Sequence, residues 1–307
     1  LISLFKLFFI IKRINPNSLH LVTIKPVIYG GLISKFLGNI PILVAFPGLG
    51  HLYTSKDSYS KLLRKLINLL YKFIFLNPNH RIIFHNKSDA NKIIREVKIN
   101  PKKCSYTFGS GVDLEEYEFS SIKDFSKIKF LFASRLLRDK GVHDFYKAAE
   151  ILKKDSLNNF QFIIAGDVDK ENPSSISNRE LQEWVSTGII EHIPYTKNIK
   201  KLLREIHVAV LPSYREGMPK FLLEASSMGR PLISTTAPGC NECVKEEFNG
   251  LKIEAGNFKE LSKKMQQLGS NKKMLIKFGS NSRKLAEERY SEKEVIKKHL
   301  ELYKSLN

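Results

Sequence analysis

The sequence predicts an α/β protein with two domains, each built around a parallel β-sheet. Short apolar runs alternate with helical segments along the chain, which is the pattern of strand–helix units in parallel sheets. A polar, irregular stretch at residues 115–127 separates two such series. The chain has 307 residues, of which 42% are apolar, so it can form two hydrophobic cores.

The first series contains short apolar strands separated by amphipathic helices. The predicted strands are 19–24, 41–46, 81–84 and 105–108, and the predicted helices are 27–37, 56–76 and 87–97. The apolar runs 1–13 and 66–76 are interrupted by Lys6 and Lys72 and are shorter than the roughly 20 residues of a membrane span. We expect both to be helices that are buried or lie on a membrane surface.

The second series repeats the pattern and ends in charged amphipathic helices. The predicted strands are 129–133, 160–165, 189–193, 208–212 and 231–235. The predicted helices are 142–153, 180–186, 199–205, 219–228, 259–268, 272–288 and 292–306. Ligands of such sheets bind beyond the carboxyl ends of the strands, so the cleft between two such domains is the expected site.

The charge is concentrated in the first third of the chain. The formal net charge is +19, and residues 1–103 hold seventeen Lys and Arg but three acidic residues. Residues 1–103 should therefore attract anions, whether nucleic acid, anionic lipid or a phosphate-bearing substrate. A nucleic-acid-binding protein is one alternative, although the sequence carries no helix-turn-helix, zinc-finger or RRM signature.

The three cysteines favour a reducing compartment and no disulfide scaffold. Cys240 and Cys243 form a C-x-x-C, but a zinc site needs about four ligands and no second pair exists. We therefore expect these thiols to pack in the interior, and we expect no metal site.

The strongest motif is LPSYREGMPKFLLE at 211–224. An apolar strand leads into a tight turn at Gly217, and Pro219 occupies the first turn of a helix, where proline is favoured. The N-terminus of that helix favours an anion. Glu216 and Glu224 can both reach one ligand there by bonding its hydroxyl groups. The alternative is that Glu216 caps the helix and Glu224 lies on a solvated face.

A second motif, FASRLLRDKG at 132–141, also follows a strand and precedes a helix. Arg135 can bind phosphate oxygens bidentately, and Lys140 adds a point charge nearby. Together they could neutralise a diphosphate without a metal. The alternative is that both are solvated loop charges.

Residues 130–253 resemble the C-terminal domain of glycosyltransferase family 4, a group of retaining GT-B transferases. The matching pieces are SRL at 134–136, KG at 140–141, AGD at 165–167, LPSYREG at 211–217, EASSMGRP at 224–231, PGCNE at 238–242 and NGL at 249–251. The resemblance implies that Glu216 lies at the donor sugar, that Glu224 bonds the nucleotide ribose, and that Arg135 and Lys140 hold the diphosphate. The further donor-side residues it implies are Gly111, Gly217, Met218, Pro219 and Lys220.

The first half resembles the branch of this family that extends polyprenyl-diphosphate-linked glycans in bacterial surface polysaccharide synthesis. The matching pieces are TIKPVIYG at 23–30, GLG at 48–50 and FGSGVD at 108–113. The acceptor-side candidates are Lys25, Gly48, Gly50 and His51. Pro47 stands where many members have a histidine. Members begin with further strand–helix units, so the resemblance predicts an incomplete first domain.

The combined expectation is a GT-B fold with an N-terminal domain at 1–117, a C-terminal domain at 127–290 and a helix at 291–307 that returns to the first domain. The expected activity is retaining transfer of a hexosyl or N-acetylhexosaminyl group from a UDP-sugar to a glycan or lipid-linked glycan, with no cofactor. We expect a cytoplasmic protein bound peripherally to the anionic inner face of the cell membrane. The alternatives are a catalytically inactive remnant that binds nucleotide or a partner and, less favoured, a GT-B epimerase.

Overall fold

The computed structural model describes residues 2–53, 57–155 and 159–306, and it divides into two compact units. The first unit comprises residues 1–110 together with 293–307, and the second comprises 111–292. Each unit contains a parallel sheet covered by helices, which confirms the predicted α/β class.

The first unit has the sheet order β1-β2-β3-β4, with every neighbouring pair parallel. Its strands are β1 (Leu19–Val22), β2 (Ile42–Phe46), β3 (His80–Phe84) and β4 (Cys104–Tyr106). Its helices before the second unit are α1 (Ile2–Ile14), α2 (Ile24–Phe36), α3 (Ser58–Ile74) and α4 (Lys87–Val97). Every residue of β2 is buried, which explains why its sequence is apolar throughout instead of alternating.

The second unit has the sheet order β10-β9-β8-β5-β6-β7, again with parallel neighbours. Its strands are β5 (Ile128–Ala133), β6 (Phe160–Ala165), β7 (Ile190–Ile193), β8 (Val208–Leu211), β9 (Leu232–Thr235) and β10 (Gly250–Ile253). Its helices are α5 (Val142–Lys154), α6 (Asn178–Ser186), α7 (Ile199–Glu205), α8 (Lys220–Ser227), α9 (Cys240–Cys243), α10 (Phe258–Gly269) and α11 (Lys272–Leu285), followed by a π-helical turn at Ala286–Tyr290.

The strand order of this second sheet reverses between β5 and β8. From β5 the chain proceeds outward through β6 and β7, then returns to β8 on the other side of β5 and proceeds outward through β9 and β10. Such a reversal leaves a crevice at the carboxyl ends of the two central strands, where open α/β sheets bind their ligands. The topology therefore locates the candidate site between the loops that follow β5 and β8.

The last helix, α12 (Glu292–Lys304), packs on the sheet of the first unit. Leu302 and Leu306 join a buried cluster with Leu43, Ala45 and Ile83 from β2 and β3. At the end of the helix, the Arg81 guanidinium donates to the Ser305 carbonyl at 2.9 Å. These contacts attach the C-terminal segment to a sheet formed much earlier in the chain.

The predicted elements differ from the observed ones mainly at their ends. The predicted helix 27–37 begins three residues earlier, at Ile24, and the predicted helix 272–288 changes to a π-helical turn after Leu285. The sequence analysis missed α9 and β10, since each has four residues, too few for a period to be read. The α1 run was expected to be buried or on a membrane surface, and most of its described side chains are exposed.

None of the described helices combines the length and the apolar composition that a membrane-spanning segment requires.

We expect Leu302→Ala to lower the free energy of unfolding by about 2–4 kcal/mol, because it leaves a cavity between α12 and the sheet. Urea denaturation of the full chain measures this change. Leu300, on the same helix, is 54% exposed, so Leu300→Ala is the matched control and should change the value by less than about 0.5 kcal/mol. Equal effects of the two substitutions would contradict the packing of α12.

Candidate active site

Two loops of the second unit meet at the reversal point of its sheet. Arg135 and Lys140 follow β5, and Glu216 lies in the loop that follows β8. The backbones of the two loops are joined, since the Tyr214 N–H donates to the Asp139 carbonyl at 2.9 Å. The predicted strand-end positions of these charged residues are therefore adjacent in the fold.

Lys140 and Glu216 form a close ion pair. The Lys140 Nζ lies 2.6 and 2.7 Å from the two carboxylate oxygens of Glu216. The Ser213 hydroxyl donates to the same carboxylate at 2.9 Å. The side chains of Lys140 and Glu216 are 19% and 12% exposed, so the pair is largely desolvated and depends on these hydrogen bonds. Glu216 therefore faces Lys140 rather than capping α8, contrary to the alternative considered above.

The turn that carries Glu216 rests on the segment before α9. The Glu216 N–H donates to the Pro238 carbonyl at 2.9 Å. Gly239 has φ +83°, and a Cβ there would lie 2.4 Å from the Glu216 carbonyl oxygen. Only glycine allows this approach without displacing the turn. The PGCNE motif is thus a support for the Glu216 loop.

A cavity of about 840 Å³ lies at the carboxyl ends of β5 and β6 in the second unit. Its lining includes Arg135, the AGD loop after β6, and Lys220 and Glu224 from α8. The Arg135 Nη1 lies 2.9 Å from Asp169, and the two side chains are 61% and 29% exposed. An exposed pair of this kind is weak, so Arg135 can exchange its partner for an anionic ligand.

Glu224 is buried on the cavity-facing side of α8, with an exposed fraction of 6%. Burial raises the pKa of its carboxyl group, while the Tyr117 hydroxyl and the positive charge of Lys220 act in the opposite direction. The Lys220 Nζ lies 3.6 Å from the carboxylate. The alternative that Glu224 is a solvated surface residue is therefore wrong.

The N-terminus of α8 lies between the two carboxylates in sequence. Pro219 occupies the N-cap position, and no described side chain caps the helix. Gly217 and Met218 form the turn before it. Helix N-termini present backbone N–H groups and a partial positive charge, which favour an anion. The phosphate-facing role of the segment 217–220 remains a prediction.

Of the described residues, those lining the cavity do not include Lys140, Glu216 or Gly111. Lys140 and Glu216 lie at the same sheet edge, in their own ion pair. Gly111 packs elsewhere: its φ is +76°, and an added Cβ would lie 2.7 Å from the Glu292 Cα. Its donor-side role remains a prediction.

The acceptor-side candidates lie at the carboxyl ends of β1 and β2 in the first unit. Lys25 is in the first turn of α2, with its Nζ 5.7 Å from the centre of the Tyr29 ring. Gly48 and Gly50 follow β2, and Gly50 has φ +63°. The side chain of His51 lies outside the described residues. The fold thus brings these positions to one edge of the first sheet, and their acceptor role remains a prediction.

Sequence reasoning missed Tyr117, Asp169 and Ser213 as parts of this site. Ser213 follows β8 within the motif already recognised, so its strand-end position was the available signal. Tyr117 lies in the stretch interpreted as a linker, where no periodicity or motif marks it. Asp169 lies outside the motifs of the sequence analysis, and in the structure it is the partner of Arg135.

Cys240 and Cys243 are both fully buried beside the Glu216 turn. The Cys243 Sγ lies 3.9 Å from the Met218 Sδ and 3.4 Å from the Gly239 carbonyl oxygen. Burial raises the pKa of the Cys240 thiol to about 12 and that of Cys243 well above its usual value. Both thiols therefore pack as neutral groups, as expected for interior cysteines.

A crevice at a sheet reversal, with cations, a helix N-terminus and two carboxylates, has the features with which α/β proteins bind phosphorylated ligands that carry hydroxyl groups. Two family models match the chain. The model described as Glycosyl transferases group 1 matches residues 113–285, and the one described as Glycosyl transferase 4-like matches residues 1–86. The chain belongs to the group 1 glycosyltransferase family.

Two relatives are polyprenyl-diphosphate glycan transferases by name. The N,N'-diacetylbacillosaminyl-diphospho-undecaprenol alpha-1,3-N-acetylgalactosaminyltransferase of Campylobacter jejuni is 32% identical over 309 residues, covering 96% of this chain and 78% of the relative. The UDP-Gal:alpha-D-GlcNAc-diphosphoundecaprenol alpha-1,3-galactosyltransferase of Escherichia coli is 28% identical over 268 residues, covering 83% of this chain and 66% of the relative.

The fold matches solved structures along nearly the whole chain. HepE of Anabaena, crystallised in complex with UDP, gives a TM-score of 0.82 at 16% identity, covering 98% of this chain and 82% of HepE. Sucrose-phosphate synthase of Thermosynechococcus elongatus gives 0.79 at 16% identity, covering 99% of this chain and 77% of the synthase. The predicted GT-B fold is confirmed.

We expect iodoacetamide at pH 8 to leave Cys240 and Cys243 of the native protein unmodified, because a thiol with a pKa of about 12 is ionised in only ~10⁻⁴ of molecules at that pH. Mass spectrometry of cysteine peptides after timed alkylation measures the reaction. Protein unfolded in urea is the control, in which all three cysteines should react at similar rates. Rapid alkylation of native Cys240 would contradict its burial.

Proposed function

We propose that this protein is a retaining glycosyltransferase that moves a hexosyl or N-acetylhexosaminyl group from a UDP-sugar to a polyprenyl-diphosphate-linked glycan. The observation that carries the proposal is that Arg135, Glu224 and the start of α8 line one cavity of the second unit. The ion pair of Lys140 with Glu216 joins the same two loops, which follow β5 and β8. The names of the Campylobacter jejuni and Escherichia coli relatives support the acceptor class. Surface polysaccharide synthesis is the corresponding process.

The donor diphosphate would bind to the two cations and the backbone N–H groups at the start of α8. Glu224 would accept hydrogen bonds from the ribose, since a buried carboxylate beside a hydroxyl pair is stabilised by their donors. The cavity beside Arg135 and Glu224 would hold the nucleoside. The proposal assigns charge neutralisation to these groups and includes no metal ion or other cofactor.

In the structure, Lys140 has an anionic partner in Glu216. Donor binding would give Lys140 a phosphate oxygen instead, and the Glu216 carboxylate would turn to the hydroxyls of the sugar. Each buried charge would keep a hydrogen-bond partner during the exchange, which limits the free-energy cost of desolvating it. Glu216 would then contact the sugar only when the donor is in place.

During transfer, the bond between the sugar C1 and the diphosphate oxygen breaks, and a bond from C1 to the acceptor oxygen forms on the same face. The negative charge that develops on the leaving diphosphate is stabilised by Arg135, Lys140 and the helix dipole, which are already oriented. The proton of the acceptor hydroxyl passes to an oxygen of the departing diphosphate. UDP and the extended glycan are the products.

We expect Glu216→Ala to lower turnover by at least ~100-fold, because the interaction it removes is made mainly in the transition state. The affinity for UDP should stay the same or rise, since Lys140 loses its competing partner. Sugar transfer to membrane-extracted acceptor lipid measures turnover, and calorimetry measures UDP binding.

The matched control is Glu183→Ala, which removes a side chain that is 61% exposed on α6. Its turnover and its affinity for UDP should equal those of the unmodified protein. Full activity of Glu216→Ala would remove Glu216 from the chemistry. UDP binding without any transfer by the unmodified protein would favour the inactive-remnant alternative.

We also propose that the first unit binds an anionic membrane surface through one face of α3. Six large apolar side chains repeat at intervals of three and four residues along this helix and just beyond it, and each is 44–75% exposed. They are Tyr59, Leu62, Leu66, Leu69, Phe73 and Leu76. At 100° per residue they form one stripe, with Lys61, Lys65 and Lys72 along one side. An apolar stripe beside basic residues is typical of helices that lie in a bilayer interface.

We expect the double substitution Leu62→Ser with Leu69→Ser to lower binding to vesicles that contain anionic lipid by at least ~10-fold, because two side chains lose their apolar burial. Co-sedimentation with sucrose-loaded vesicles measures the binding. Ile296→Ser with Leu300→Ser removes side chains of 50% and 54% exposure from α12 and is the control, which should bind as before. The proposal would be contradicted if vesicle binding changed neither with the double substitution nor with the anionic lipid content.

A further inference from the structure

The segment after Asp113 is attached closely to the C-terminal half of α8. The Asp113 side chain accepts from the N–H groups of Glu115 and Glu116 at 2.8 and 3.0 Å, which starts a turn. The Tyr117 N–H then donates to the Asp113 carbonyl at 2.9 Å. Three residues later, the Ser120 N–H donates to the Met228 carbonyl at 3.3 Å. The position of Tyr117 is thus fixed at both ends.

The Tyr117 carbonyl group accepts two hydrogen bonds from side chains of the second unit, to which Tyr117 itself belongs. The Ser227 hydroxyl donates to it at 2.6 Å, and the Arg283 Nη1 donates to it at 3.1 Å. Arg283 also donates to the Ser227 carbonyl at 3.0 Å, so one guanidinium joins this segment to the end of α8. Ser227 is fully buried. The backbone of Tyr117 is therefore held to the helix that carries Glu224.

The side chain of Tyr117 extends from this fixed backbone into the wall of the cavity. It is 8% exposed and lines the cavity together with Arg135 and Glu224. Its hydroxyl lies near the Glu224 carboxylate, and the interaction between them opposes the rise that burial causes in the pKa of Glu224. The other described polar partner of that carboxylate is Lys220, which is 65% exposed and 3.6 Å away. A solvated pair at that distance orients a carboxylate weakly.

We propose that Tyr117 is a positioning residue that aims the Glu224 carboxylate at the ribose and thereby sets the preference for ribonucleotides over deoxyribonucleotides. The inference rests on the proposed function, in which Glu224 accepts from the ribose. The phenol, on a backbone fixed to α8, would restrict the rotation of the carboxylate and leave its other lone pairs available to the ligand. A ligand without ribose hydroxyls would leave a buried carboxylate with fewer donors than its burial requires.

Removing the Tyr117 hydroxyl should weaken the preference for ribonucleotides over deoxyribonucleotides without changing the shape of the cavity. In Tyr117→Phe the ring still fills the same space, but Glu224 loses its rigid donor. Its carboxylate can then rotate toward Lys220 or take up a proton, because burial already raises its pKa. In both cases the ribose loses a well-oriented acceptor, while the contacts to the diphosphate are unchanged.

The test compares the dissociation constants of UDP and 2′,3′-dideoxy-UDP by calorimetry on the full chain. We expect Tyr117→Phe to weaken UDP binding by about 5- to 10-fold and to change dideoxy-UDP binding by less than about 2-fold, which is a loss of one ligand-directed hydrogen bond. Glu224→Gln should reduce the same preference, and the double substitution should add little to it. Tyr146→Phe is the control for loss of a phenol hydroxyl, since Tyr146 stacks on Trp184 at 4.4 Å, and it should behave as the unmodified protein.

The variants separate this inference from the proposed function. If Glu224→Gln leaves the preference for UDP unchanged, the assignment of Glu224 to the ribose is wrong. If Glu224→Gln abolishes the preference while Tyr117→Phe retains it, the role proposed for Tyr117 is wrong. Equal weakening of both nucleotides by Tyr117→Phe would mean a general structural role and would also overturn it.

Discussion

The reversal of strand order between β5 and β8 is the constraint on which the site depends. Neighbouring parallel strands at this point continue into helices that diverge, so the backbone leaves a crevice at their carboxyl ends. The loop after β5 supplies Arg135 and Lys140, and the loop after β8 supplies Glu216 and the start of α8. Groups distant in sequence can therefore act on one ligand without any of them lying on a flexible terminus.

Charge pairing decides how this crevice responds to an anion. Lys140 forms an ion pair with Glu216, and Arg135 forms one with Asp169, so both cations have anionic partners in the structure. A diphosphate would therefore replace the carboxylate partner of each cation instead of binding an unpaired cation. The Arg135 pair is exposed and weak, whereas the Lys140 pair is largely desolvated and has an added hydrogen bond from Ser213. Replacing the carboxylate partner by a ligand should therefore cost less free energy at Arg135 than at Lys140.

Most of the fold could be predicted because many strands of the two parallel sheets are short, mainly apolar runs. Strand β2 is the clearest case, since all of its residues are buried and all are apolar. Elements of four residues, such as α9 and β10, carry too few positions for a periodic signal. Their boundaries depend on neighbours: β10 exists because it pairs with β9, and α9 begins where Gly239 closes on the Glu216 turn.

The sequence by itself determined the class of the chain, the strand ends that carry the charged motifs, and the concentration of positive charge in the first third. Only the tertiary structure decided which groups meet. Lys140 and Glu216 are 76 positions apart, and Arg135 and Asp169 are 34 apart. Tyr117 reaches Glu224 from a stretch without any motif. Such contacts follow from strand order and loop packing, which local periodicity does not encode.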